Sequence, residues 1–127
     1  MQAPPAPLDS IEAMASRYLD EIRALIRERF GDHACPDKPR FYKTKAKNAQ
    51  EAHEAIRPTS VQRAPEAIKA HLTRDQLRLY ELIWKRTVAC QMVHATIDTV
   101  SADLGCGEGN RFRATGSTIR DPGFIAV

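Results

Sequence analysis

The chain has 127 residues, of which 43% are hydrophobic and 28% are charged, and its formal net charge is +3. This length suits one domain, or a small domain with part of another, and the composition excludes a chain that is disordered throughout. No run of about 18 apolar residues is present, which excludes a membrane-spanning helix, and the first residues lack the basic and apolar parts of a secretory signal.

The first element that the sequence predicts is a helix from Ser10 to Phe30. Asp9 and Ser10 have the side chains of an N-cap, apolar residues follow at helical spacing, and Gly31 suits the C-terminal end. The stripe that should face the core consists of Ile11, Ala15, Tyr18, Ile22, Leu25, Ile26 and Phe30. Residues 1–8 are rich in Pro and Ala and are expected to be a flexible N-terminal segment or an artificial remnant.

Positive charge is concentrated in the middle of the chain. Residues 38–74 hold nine Lys and Arg against three Asp and Glu, whereas residues 1–37 hold four against seven. Prolines predict an ordered loop over residues 32–47. Its spaced basic residues are Lys38, Arg40, Lys43, Lys45 and Lys47. Such a cluster favours a polyanion as partner, because basic side chains displace the counterions of a phosphate backbone, although a solvated basic loop would have the same composition.

Three further helices are expected after this loop. One short helix is predicted over residues 49–56, ended by Pro58, and another over residues 65–71, opened by a proline. A capping-box pattern at residues 73–76 opens the strongest predicted helix. Its core-facing residues are Leu77, Tyr80, Ile83, Trp84, Val88 and Gln91.

The last part of the chain has the pattern of antiparallel strands. Residues 95–104 and 112–118 alternate in polarity, and the glycines between them indicate a turn. Residues 124–127 are expected to begin a third strand, so that the chain would stop within it and its partner strands would be missing. The predicted fold class is therefore mainly α with a C-terminal β segment (α+β): a helical domain fragment over residues 9–92, followed by incomplete antiparallel strands of a partial β domain over residues 93–127.

The densest polar segment offers a candidate binding site. On the predicted short helix, His53 and Arg57 lie four residues apart and therefore share a face. An imidazole and a guanidinium side by side, next to Lys43, Lys45 and Lys47, could clamp a phosphate. A neighbouring phosphate would raise the pKa of His53, because a negative charge favours the protonated ring. The alternatives are a surface histidine with local hydrogen bonds, and a structural ion pair for Arg57.

Other chemistries fit the residues less well. A zinc-protease motif needs a second histidine where Arg57 stands, and arginine cannot ligate a metal. Cys35, Cys90 and Cys106 are odd in number and contain no CxxC pair, which argues against a disulfide framework or a zinc site and favours a reducing cytoplasm. No His–acid arrangement predicts a nucleophile at the cysteines, and His53 has no evident partners for general-base catalysis. We expect no metal, no cofactor and no small-molecule substrate for this chain.

The polar segment carries a family resemblance. Residues 45–59 read KAKNAQEAHEAIRPT and resemble the signature segment of bacterial type IA DNA topoisomerases. Residues 79–92, 112–117 and 122–124 resemble a later helix and the strands that follow it, in the same order. The resemblance runs from about residue 20 to the end of the chain.

The resemblance implies a piece of a clamp-shaped enzyme that relaxes negatively supercoiled DNA. Such an enzyme cuts one strand through a tyrosine ester, passes the other strand through the gap and reseals the first. Residues up to about 92 resemble part of the domain that bears the tyrosine, and residues from about 93 resemble strands of the arch domain. The expected partners are single-stranded DNA and the remaining domains of the parent enzyme, which would use Mg²⁺ and lie in the cytoplasm at the nucleoid.

The resemblance also implies roles for residues, and one departure. His53 matches the family histidine that lies near the scissile phosphate, and Arg57 belongs to the same motif. The family tyrosine and arginine that precede the first helix fall on Pro5 and Pro7 here, and Tyr18 lies in the core stripe, so it is no substitute. The chain alone is therefore expected to be inactive. The alternative is a non-catalytic nucleic-acid or protein interaction module with the same fold.

Overall fold

The computed structural model describes residues 11–42 and 56–127, with side chains from residue 15 onward in the first range. Within these ranges the chain forms helices α1 (Ile11–Phe30), α2 (Pro65–Ile68) and α3 (Arg74–Ala89), and strands β1 (Thr96–Gly105) and β2 (Arg111–Asp121). Short 3-10 turns follow α1, α2 and β2 at Asp32–Ala34, Lys69–His71 and Gly123–Ala126. The expected α+β order of a helical unit followed by antiparallel strands is confirmed.

Helix α1 ends where its sequence indicates. Gly31 has φ +90° and its amide donates to the carbonyl of Arg27 at 3.1 Å, so the chain leaves the helix at a residue without a Cβ. Ile22, Leu25 and Ile26 are buried, as the apolar stripe predicts. The expected short helix over residues 65–71 is also present, with its last turn tightened to a 3-10 turn.

Helix α3 has the capping box that its sequence predicts. The Gln76 amide donates to Thr73 Oγ1 at 3.3 Å, and the Thr73 amide donates to Gln76 Oε1 at 2.9 Å. Each interaction satisfies an amide that the first helical turn leaves without a partner. Further along the helix, Trp84 and Val88 are buried, so the side of α3 that carries them faces the core.

One hydrophobic core holds the helical unit together. Its buried members are Ile22, Leu25, Ile26, Ala34, Cys35, Val61, Ala64, Trp84, Val88 and Met92. Arg29 joins the helices at the rim of this core: its guanidinium lies 5.5 Å from the Trp84 ring and 2.8 Å from a Glu66 carboxylate oxygen. The pKa of Glu66 is lowered, first by its backbone hydrogen bond and then by Arg29.

Strands β1 and β2 form an antiparallel ribbon with two chemically different faces. On one face the Thr99 and Ser117 hydroxyls hydrogen-bond at 3.0 Å, and Arg113 pairs with Asp103 at 2.7 Å. The other face carries Leu104 opposite Phe112 in the register, and at its far end Asp98, which pairs with Arg120 at 2.7 Å. Every residue of β1 is exposed, so the ribbon has no core of its own among the described residues.

The expectation of a third strand from residue 124 is wrong. Residues Gly123–Ala126 form a 3-10 turn, because Pro122 has φ −66° and Gly123 has φ +48°, a left-handed conformation that a strand cannot contain. The Phe124 amide donates to the carbonyl of Val93 at 3.0 Å, so the chain returns to the end of the helical unit. A Cβ on Gly123 would lie 2.5 Å from the His94 carbonyl, which explains the need for glycine at this close approach.

None of the described helices combines the length and the apolar character that crossing a bilayer requires.

Candidate nucleic-acid interface

The predicted site residues divide into two groups. Lys43, Lys45, Lys47 and His53 lie outside the described residues, as does nearly all of the short helix expected over residues 49–56. Arg57 is described and exposed, in a stretch that is not helical. Because neither Ile56 nor Arg57 is helical, the prediction that Arg57 lies on a helix face with His53 is wrong at Arg57, since the chain is already extended towards Pro58 there.

Arg57 lies against helix α1. Its guanidinium stands 4.7 Å from the centroid of the Tyr18 ring, and the Tyr18 hydroxyl donates to the carbonyl of the buried residue Pro58 at 2.7 Å. The proline fixes the backbone and the tyrosine fixes its carbonyl, so residues 57 and 58 are held at one place on α1. Tyr18 packs against the core as expected, but it is only partly buried, and it supports Arg57.

Burial and charge act in opposite directions on Tyr18. Desolvation raises the pKa of the phenol, and the positive charge of Arg57 opposes that rise. The phenol is therefore protonated at neutral pH and available as the donor to Pro58. A guanidinium over an aromatic face is a favourable contact, which helps to hold Arg57 against α1.

The chain preceding Lys43 is attached to residues 90–94, which directly follow α3. The Arg40 amide donates to Gln91 Oε1 at 2.9 Å, and Gln91 Nε2 donates to the Arg40 carbonyl at 3.0 Å. The Arg40 guanidinium donates to the Met92 carbonyl at 2.7 Å and to His94 Nε2, and the Tyr42 hydroxyl donates to the Cys90 carbonyl at 2.6 Å. These bonds fix residues 40 and 42 immediately before the lysine series.

The chain following Arg57 is attached to the same helix. Val61 is buried, and its carbonyl accepts a hydrogen bond of 2.8 Å from Trp84 Nε1. The Tyr80 hydroxyl donates to the Arg63 carbonyl at 2.6 Å. Helix α3 and the residues that directly follow it therefore hold both flanks of residues 43–55, while α1 holds the flank at Arg57 as well.

Sequence reasoning included Arg40 in the basic series but missed its structural role, and it missed Tyr42. Gln91 was assigned to the core-facing side of α3, and it is 3% exposed. A polar residue within an apolar stripe signals a buried hydrogen-bond partner. The identity of that partner, 51 residues away in the chain, has no local signal.

Cys90 does not have the surroundings of a nucleophile. Desolvation raises the pKa of the Cys90 thiol, against smaller lowering effects of Gln91 and Arg40. The Cys90 Sγ donates to the Thr87 carbonyl at 3.0 Å, so it is a protonated thiol with a backbone partner. Over residues 15–42 and 56–127, no group of three or more His, Cys, Asp or Glu side chains could hold a metal ion.

Comparisons with known proteins agree on one family. The sequence model of the family described as DNA topoisomerase matches residues 9–127. The chain is 54% identical over 109 residues to DNA topoisomerase 1 of Xylella fastidiosa strain Temecula1, covering 86% of this chain and 13% of that protein. It is 52% identical over 116 residues to DNA topoisomerase 1 of Rickettsia bellii, covering 90% of this chain and 14% of that protein.

A solved structure has a similar fold. Full-length topoisomerase I from Thermotoga maritima matches 85% of this chain with a TM-score of 0.67 and 36% sequence identity, over 16% of that chain. The present chain therefore spans roughly a seventh of the length of the relatives it matches.

Proposed function

Because the chain belongs to the bacterial type IA DNA topoisomerase family, we propose that it is the part of such an enzyme that contacts single-stranded DNA near the scissile phosphate. The parent enzyme would relax negatively supercoiled DNA in the cytoplasm, at the nucleoid, by cutting one strand, passing the other through the gap and resealing the first. The proposal assigns the contacts to Lys43, Lys45, Lys47, His53 and Arg57.

The observation that carries the proposal is the attachment of both flanks of the basic segment to one folded core. Arg40 and Tyr42 attach the chain before the lysines to Gln91 and Cys90, just beyond α3, and Tyr18 holds Arg57 and Pro58 after it. A basic segment is suited to a polyanion partner, because its positive charges attract a phosphate backbone.

Each of the proposed residues has a distinct role in this scheme. The three lysines would neutralise backbone phosphates and release condensed counterions. His53 would gain a proton more readily beside a phosphate, since the negative charge raises the pKa of the ring. Arg57 would present the edge of a guanidinium whose face is covered by Tyr18.

The proposal excludes strand cleavage by this chain alone. Pro5 stands where the family resemblance places the nucleophilic tyrosine, and proline cannot form the ester. The parent enzyme is expected to use Mg²⁺, and within residues 15–42 and 56–127 no group of three or more His, Cys, Asp or Glu side chains could hold it.

The test is binding of an oligothymidylate, followed by fluorescence anisotropy at several salt concentrations. Replacing Lys43, Lys45 and Lys47 together by Ala should weaken binding and reduce the slope of log affinity against log salt by about 2, or about 0.7 for each lost phosphate contact. The control replaces Lys69, Arg74 and Arg78 by Ala. These three side chains are exposed and belong to other parts of the helical unit. The control therefore removes the same net charge at different positions.

Two results would contradict the proposal. One is an affinity that does not depend on salt. The other is an equal loss of affinity in the lysine variant and in the control, because the effect would then follow net charge and not position. Relaxation of a supercoiled plasmid by the unmodified chain would contradict the statement that it is inactive alone.

A further inference from the structure

A groove on the surface of the helical unit has no role in the account above. This α3 groove has a volume of about 750 Å³ and lies between the C-terminal half of α3, the chain at Arg40 and Tyr42, and the last 3-10 turn. Apolar side chains form most of its surface, among them Leu82, Phe124 and Ile125, which are 55%, 43% and 47% exposed. Its volume is within the range of about 300–1,000 Å³ typical of ligand sites.

The charged side chains that line the α3 groove all have the same sign. They are Arg40, Lys85 and Arg86, and no lining side chain is a carboxylate. His94 also lines the groove, where it accepts the hydrogen bond from Arg40. Lys85 forms an ion pair of 3.2 Å with Glu81 on the exposed surface, which neutralises it only weakly. Within the described part of the chain, no hydrogen bond or ion pair involves the Arg86 guanidinium, and this residue is exposed. The groove is therefore complementary to an anionic occupant.

Aromatic rings accompany these cations. Tyr42 is 67% exposed although its hydroxyl is hydrogen-bonded, so its ring is fixed and accessible. The backbone of Phe124 is fixed by the bond to Val93, while part of its ring faces solvent. Cations that meet phosphates, combined with aromatic faces on which bases stack, are the two features that proteins use to bind single strands.

We propose that the α3 groove binds a short stretch of single-stranded DNA. This inference rests on the proposed function and extends it to a second contact surface. Tyr42 lines the groove and is followed directly by Lys43, so one strand could contact the lysine series and then continue along α3. Arg86 meets a phosphate in this arrangement, and Phe124 stacks on a base. An acidic segment of another domain would match the charges, but continuity with the lysine series favours DNA.

The experiment compares two groove variants with a matched control on the same helix. Arg86→Ala should reduce the salt slope of oligothymidylate binding by about 0.7, the value for one lost phosphate contact. Phe124→Leu keeps an apolar side chain but removes the aromatic face, and should weaken binding roughly fivefold or more. Arg74→Ala removes the same charge as Arg86→Ala, but at a site about 18 Å further along α3, and should leave the slope unchanged.

The length of the probe identifies the groove as a second contact. A long oligothymidylate should show the effects of Arg86→Ala and Phe124→Leu, whereas an oligomer too short to reach both surfaces should bind the variants and the unmodified chain more nearly alike. Thermal unfolding followed by circular dichroism establishes that each variant is folded.

The outcomes separate this inference from the proposed function. If the lysine variant loses affinity while Arg86→Ala and Phe124→Leu do not, the groove inference is overturned and the proposed function stands. If groove variants and lysine variant all bind normally, both fail. If Arg86→Ala in the full-length parent lowers the unfolding temperature and leaves DNA affinity unchanged, the groove is an interface between domains and the inference is overturned.

Discussion

The helical unit and the β ribbon use different means to hold their shape. In the helical unit, residues far apart in the sequence share one core, and Trp84, Val61 and Gln91 are almost completely buried. In the ribbon every residue of β1 is exposed, and the strands are held by their backbone ladder and by pairs across it. A two-stranded ribbon of this kind is at best marginally stable alone. Side-chain substitutions should therefore lower the free energy of unfolding most in the helical unit and least in the ribbon.

The largest effect is expected from Trp84→Ala. The change removes a buried ring and the donor to the Val61 carbonyl, so the free energy of unfolding should fall by about 3–5 kcal/mol. Denaturant unfolding followed by far-UV circular dichroism measures it. Trp84→Phe keeps most of the packing and should lose less. A loss below about 1 kcal/mol for Trp84→Ala would contradict the packing of Trp84 in the core and its bond to Val61.

The next effect is expected at the place where the two regions meet. Gly123→Ala would force a Cβ to within 2.5 Å of the His94 backbone at a φ of +48°. The left-handed conformation alone costs about 1–2 kcal/mol, and the contact adds to it. Amide exchange of Phe124 should accelerate strongly. Gly116→Ala is the control, because a Cβ at that ribbon position meets nothing within 4 Å, and it should have almost no effect.

A smaller effect is expected from Tyr18→Phe. The ring remains under Arg57, but the hydrogen bond to the Pro58 carbonyl is lost, so stability should fall by about 0.5–1.5 kcal/mol. Tyr18→Leu also removes the cation–π contact, which adds about 0.5–1 kcal/mol at an exposed site. Thermal unfolding of both variants measures the two contributions. Equal stability of Tyr18→Phe and the unmodified chain would contradict a supporting role for the hydroxyl.

The smallest effect is expected on the ribbon. The hydrogen bond from Arg113 lowers the pKa of Asp103, so this pair stabilises the ribbon at neutral pH and is lost as the pH falls through that lowered pKa. Both groups are fully exposed, and salt should weaken the pair further. A carboxyl titration by NMR should give Asp103 a pKa below that of ordinary aspartates. Arg113→Ala should raise the pKa again, and a titration that this change leaves unmoved would contradict the assignment.

The sequence predicted those features that local chemistry determines. The capping box of Thr73 and Gln76, the end of α1 at Gly31 and the apolar stripes each depend on residues within a few positions of one another. The third strand was predicted wrongly, because an apolar run was given more weight than the Pro122–Gly123 pair before it. Turn residues of this kind fix φ directly, whereas a run of four apolar residues is compatible with several conformations.

The candidate site was predictable in part for the same reason. The basic residues and the Arg57–Pro58 pair are visible in the sequence. The contacts of Arg57 with Tyr18 and of Arg40 with Gln91 join distant parts of the chain, and only the folded core brings them together. The α3 groove could not be predicted, because its wall is formed partly by a turn that the sequence suggested was a strand.

The two attachments of residues 43–55 have a thermodynamic consequence. A segment whose two ends are fixed has fewer conformations open to it than the same sequence free in solution, so less conformational entropy is lost on binding. A synthetic peptide with this sequence should therefore bind a single strand less tightly than the intact chain does, although it would carry every lysine. The folded helices would thus increase affinity through pre-organisation, without touching the nucleic acid at that point.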